Sequence, residues 1–123
     1  MTDLGGKLLP VQAFLANAQR SANHIALVQP LGDGQVREYS WSEVEDEARR
    51  MANYLRSFDL APGTNREIMS KNCAQWVIAD LAIWMAGYVS VPLYPTLTST
   101  SVNQILEHCG APVLFVGKLD VWD

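Results

Sequence analysis

Basic residues are few in this chain, and they are scattered. Nine lysines and arginines stand against thirteen acids in 123 residues, a net charge of −4. Only Arg49 and Arg50 are adjacent. No basic stripe could follow a phosphate backbone, so nucleic acid is not an expected partner. Cysteine is scarcer: Cys73 and Cys109 lie 36 positions apart, outside any CxxC or Cys/His array. Two isolated thiols of this kind read as small buried hydrophobes in a reducing, cytoplasmic setting, although a disulfide between them stays open. His24 and His108 have no Cys, His or carboxylate partner at metal-ligand spacing, so both read as structural or exposed. Met1 to Lys7 carries an acid and no apolar run, unlike a signal peptide. Low-complexity segments, repeats and long linkers are all missing.

What the chain does have is apolar residues, 49% of it, enough for one globular domain. They are densest from Asn72 to Thr96, where Asp80 is the only charge. An apolar run this long invites a membrane-span reading. Asp80 within it, Gly87 ending the helical pattern, and the strand-like Val89-Ser90-Val91 argue against that reading, and peripheral membrane contact stays open.

Periodicity divides the rest. Leu8 to Arg20 has a helical stripe of Val11, Phe14, Leu15 and Ala18. Strand-like Ile25 to Gln29 and Val36 to Ser40 flank Gly32-Asp33-Gly34, a hairpin signal. Ser40 and Glu43 have capping-box spacing, and Val44, Ala48, Met51, Ala52 and Leu55 follow on one helical face. Leu60-Ala-Pro-Gly63 punctuates the chain. Then come a strand at Glu67–Ser70, a helix at Cys73–Ala86 with Asn72 as N-cap, a strand at Val89–Val91, a helix at Thr98–Cys109 stopped by Gly110, and a strand at Val113–Val116. Strands alternating with helices imply α/β: a β-hairpin plus a βαβαβ parallel-sheet unit. Residues 1–123 read as a single partial domain, with helix, hairpin and amphipathic helix to about residue 60 and the βαβαβ unit at about 65–118. A parallel sheet is normally covered on both faces. The few helices here suggest that the remainder of a larger domain, or a second copy of the chain, covers it.

Five phrases, in order, resemble one superfamily: Tyr39-Ser-Trp-Ser-Glu43, Leu60-Ala-Pro-Gly63, Ser70 to Ile83, Gly87 to Thr96, and Ile105 to Ala111. Together they resemble the N-terminal region of AMP-binding, adenylate-forming enzymes. Within these, Val91-Pro-Leu-Tyr-Pro-Thr96 and Phe115 to Asp120 resemble bacterial long-chain fatty acid–CoA ligases. The resemblance implies a ligase in which a fatty acid carboxylate attacks the α-phosphate of ATP, with Mg²⁺ present. Acyl-AMP and pyrophosphate form, and the CoA thiol then displaces AMP. Other acyl-adenylating enzymes, such as fatty acyl-AMP ligases or aryl- and amino-acid-activating domains, fit the same phrases. A non-catalytic oligomerising α/β domain is the reading from a different class.

The family's phosphate loop, a Ser/Thr/Gly run ending in Lys, is not among these residues, so this chain alone is expected to be inactive. No catalytic residue and no metal ligand is assigned. The one candidate site is Tyr94-Pro95-Thr96, which the resemblance places beside the CoA pantetheine tunnel; a Pro-fixed turn without a ligand is the competing reading. Trp76 and Trp84 are expected to pack on the sheet. Asp80 is expected to be bonded to a loop or an Arg. Arg66-Glu67 departs from the family's two apolar residues, which implies a shorter strand or a wet strand end.

Overall fold

A computed structural model describes residues 9–110 and 112–119. The expectations touching Met1 to Leu8, Ala111 and Asp120 lie outside the described residues. The chain opens with α1 (Pro10–Arg20), where proline's fixed φ suits the first helical position and the Leu9 N–H donates to Gln12 Oε1 at 2.9 Å. β1 (Ile25–Gly32) and β2 (Gln35–Ser40) form an antiparallel pair. Asp33 and Gly34 close it with φ of 52° and 75°, the two positive values a type I′ turn needs. β1 runs further toward the turn than the expected Ile25–Gln29, carrying Pro30, Leu31 and Gly32 as well.

α2 (Trp41–Arg56) begins with the expected capping box. Ser40 Oγ accepts from the Glu43 N–H at 3.2 Å, and the Ser40 N–H donates to Glu43 Oε1 at 3.3 Å. Val44, Ala48, Ala52 and Leu55 are buried, while Arg49–Glu45 and Arg50–Asp46 ion pairs hold the wet face at 3.3 and 3.0 Å.

The second sheet is β3 (Asn65–Met69), β4 (Val89–Leu93) and β5 (Leu114–Val116), in the order β4-β3-β5 and all parallel. α3 (Ala74–Met85) connects β3 to β4, and α4 (Ser99–Cys109) connects β4 to β5. Because the chain steps out from β3 and then back across it, the two helices take opposite faces. The alternation along β3 records this. Ile68 joins the large core with Leu55, Ile78, Ala82 and Ile83 from α2 and α3, whereas Met69 joins a smaller core with Leu93 and Val102 under α4.

Four expectations are corrected. β3 is neither shortened nor wet at Arg66-Glu67: it runs from Asn65, and both side chains are 0% exposed. Their side chains point to opposite faces of the sheet, Arg66 over the Tyr88 ring on the large-core side and Glu67 toward the α4 side. Asn72 is not the N-cap of α3; Cys73 holds that position without a side-chain bond, and the Ala74 N–H instead donates 2.7 Å to Gln29 Oε1 from the hairpin. Trp76 packs on the core, but Trp84 is 40% exposed near the helix end. Asp80 is half-buried and has no ion pair or hydrogen bond among the described residues, its oxygens being reachable by water. Cys73 and Cys109 are both free and half-buried, with no disulfide. Among the described residues no helix is long and apolar enough to cross a membrane.

Candidate functional site

Parallel strands aim their C-terminal ends the same way, so β3, β4 and β5 bring three loops to one end of the sheet. The loops after β3 and β5 are stitched together. The Gly117 N–H donates to Met69 O at 3.0 Å and the Lys71 N–H to Lys118 O at 2.7 Å. Ser70 Oγ donates to Lys71 O at 2.8 Å, accepts from the Lys118 N–H at 2.9 Å, and lies 3.7 Å from Cys73 Sγ. Gly117 permits this closeness: a Cβ there would stand 2.5 Å from Ser70 Oγ.

The loop after β4 carries Tyr94, Pro95 and Thr96. It turns tightly, with the Leu97 N–H donating to Tyr94 O at 3.2 Å, and Thr98 then caps α4 by accepting from the Ser101 N–H at 3.2 Å. Tyr94 is 77% exposed, Pro95 is half-buried and Thr96 is exposed. The three therefore present a rigid, accessible rim at the same end of the sheet as Ser70 and Gly117, but at its β4 edge.

A larger concavity lies across the sheet from them. A groove of about 550 Å³ runs between α2, α3 and the ends of β3 and β5, walled by Met51, Tyr54, Ile68, Trp76, Ala79 and Phe115. Ser70, Gln75 and Gly117 give it a polar end, and Tyr94 to Thr96 do not line it. Sequence reasoning missed this groove because its walls come from four elements that no local pattern ties together; the one cue was the apolar α3.

β3 holds the most unusual electrostatics. On one face Arg66 stacks over Tyr88, 3.9 Å from the ring centroid, and its Nη1 donates to Asn65 O at 2.8 Å, while Nε and Nη2 have no partner. On the other face neither oxygen of Glu67 has a hydrogen-bond partner among the described residues. Burial pushes the Glu67 carboxyl above its ordinary 4.5, an effect the Cys109 thiol partly offsets. Burial also raises Cys109, and the neighbouring Glu67 carboxyl adds to it.

No described part of the chain suits a nucleoside triphosphate and its magnesium. Among the described residues no three His, Cys, Asp or Glu side chains converge to hold a metal ion, and no Ser/Thr/Gly run ends in Lys. His24 and His108 are exposed.

A family model described as AMP-binding enzyme matches residues 14–123. Over 87 residues the chain is 38% identical to a probable CoA ligase of Humulus lupulus, covering 68% of this chain and 13% of that one. It is 32% identical over 116 residues to long chain acyl-CoA synthetase 2 of Arabidopsis thaliana, covering 91% of this chain and 17% of that one. Among solved structures, the anthranilate CoA ligase AuaEII in complex with anthranoyl-AMP aligns with a TM-score of 0.78 and 27% identity, over 86% of this chain and 20% of that one. The chain thus spans less than a fifth of the length of these two curated relatives.

Proposed function

Because this chain belongs to the AMP-binding enzyme family, we propose that it is the scaffold portion of an ATP-dependent acid–CoA ligase, one that activates a long-chain fatty acid in the cytoplasm. The observation that carries this reading is the family match, which runs through both sheets and every helix from α2 onward. The fatty acid substrate is supported by likeness to a plant long chain acyl-CoA synthetase. An aryl acid is the second reading, favoured by the structural likeness to an anthranilate CoA ligase.

In this reading the chain supplies floor rather than chemistry. ATP and Mg²⁺ are held by residues outside it, since the donor sets they need are not among those described. Tyr94, Pro95 and Thr96 form part of the wall along which CoA enters: an exposed phenol ring and a threonine hydroxyl on a proline-stiffened turn. The 550 Å³ groove, with exposed Val28 and Val36 on the outer hairpin face, is where the remainder of an AMP-binding domain, or a second copy, packs.

The test is a transplant. This chain replaces the matching segment of the Arabidopsis synthetase, and acyl-CoA formation from palmitate is measured. The chimera is expected to turn over. Tyr94→Ala with Thr96→Ala is expected to raise KM for CoA about tenfold, leaving KM for ATP unchanged. An unchanged KM for CoA would remove the turn from the tunnel. The isolated chain is expected to show no palmitate-dependent ATP–pyrophosphate exchange, and any such exchange would refute the scaffold reading.

A further inference from the structure

Glu67 is a carboxyl in the wrong solvent. It sits at the middle of the central strand between Val91 of β4 and Leu114 of β5, is 0% exposed, and neither oxygen meets a hydrogen-bond partner. Its backbone is satisfied, the N–H donating to Val113 O at 3.2 Å, so the strand holds the side chain in place. Around it on the same face lie Met69, Leu93, Val102, Ile105, Leu106 and Leu114, all apolar.

The titratable groups that could answer it are few. β4 and β5 carry none along Val89–Leu93 and Leu114–Val116. α4 offers Cys109, whose thiol bears on the carboxyl, while Glu107 and His108 are exposed to water. Arg66 is the next residue on β3 but stacks on Tyr88 on the opposite face. Among the described residues no hydrogen bond or ion pair from a cation to Glu67 is formed.

Ionising such a group is costly unless the structure gives it water. The cheapest way to water is through α4. That helix has a single buried residue, Val102, and its end is tied down by the Asn65 Nδ2–Cys109 O bond at 3.0 Å and the left-handed Gly110. We propose that Glu67 is a proton-operated latch: protonated, it lets the end of α4 close on the sheet, and ionised, it releases that end to solvent.

The raised Glu67 value fixes the direction. Between the ordinary 4.5 and the raised folded value, the folded state holds a proton that the unfolded state has lost, so stability falls as pH rises. Below 4.5 the contribution is fully present, and above the raised value it is gone. Most carboxyls that gain a partner on folding do the reverse.

Two measurements test this on the chain itself. The thermal midpoint is followed from pH 5 to pH 8.5 for the unsubstituted chain, Glu67→Gln and Glu67→Leu. The unsubstituted midpoint is expected to fall by roughly 5–10 °C more than that of either variant. Cys109 alkylation by iodoacetamide is followed in a Cys73→Ser background. Over the same range it is expected to accelerate at least about threefold more with Glu67 in place than with the Glu67→Gln substitution, once thiolate content is matched. Parallel midpoint curves for Glu67 and whichever variant folds, or equal alkylation profiles, would overturn the latch. A lower midpoint for the variants at every pH would do so too, since it would make Glu67 a stabilising partner.

Discussion

Arg66 shows at the scale of one residue how far local patterning can mislead. A charged pair at a strand start normally signals an edge or a wet end, yet Arg66 is 0% exposed over the Tyr88 ring. The ring face and the Asn65 carbonyl answer part of the guanidinium, and Nε and Nη2 go unanswered. Cation–π stacking is worth about 2 kcal/mol when desolvated, less than the burial of an incompletely bonded charge costs. Arg66→Met keeps the length and removes the orphans. It is expected to raise unfolding stability by about 1–3 kcal/mol in urea titrations, with an unchanged m-value. A loss of stability would show that the stacking outweighs the desolvation. The sequence displayed the departure at Arg66-Glu67 but not its resolution. Burial there follows from what covers the two faces of β3, the Tyr88 ring over Arg66 and the α4 side over Glu67, both more than twenty residues away.

Elements were more legible than residues. Their order, and the parallel character of the second sheet, could be read from alternation and punctuation, because Gly34, Gly87 and Gly110 adopt the positive φ their positions demand. Capping separates local from distant control. α2 is capped by a residue three positions away in the box, so the motif is visible in the sequence. α3 takes its cap from Gln29, 45 positions back, and no local motif announces it. Either loss costs about 0.5–2 kcal/mol of stability. The expected difference is in what else moves. Ser40→Ala is expected to fray only α2, whereas Gln29→Ala is expected to raise amide exchange both at the start of α3 and along β1, since one bond joins them. Exchange confined to α3 would mean that the hairpin is held without it. The Tyr94–Thr96 turn was legible as a turn, and its exposure follows from lying at the β4 edge. The groove beyond β5 was not legible, being made where α2 and α3 meet the sheet.

The whole molecule has two cores and an uneven coat. The large core lies between α2, α3 and β3, and the smaller one lies under α4. Apolar surface is left over at the groove and on the outer hairpin face. The isolated chain is therefore expected to associate or to bind an apolar dye while keeping native circular dichroism. Analytical ultracentrifugation at about 10 and 100 μM, with and without Ala79→Glu in the groove wall, is the check. A concentration-independent monomer that binds no dye would mean that the groove needs no cover.

The stitching of the β3 and β5 loops has a consequence for how the chain folds as it is made. Ser70 waits 48 residues for the Lys118 N–H that its hydroxyl accepts, and β3 waits as long for its second neighbour. The pairing of the hairpin strands and the α2 capping box use contacts close in sequence and can settle while later residues are still in the ribosome. The central strand of the sheet, the first parallel strand to be synthesised, is thus the last to be fully paired. Until Gly117 arrives against Ser70, that strand keeps one edge open.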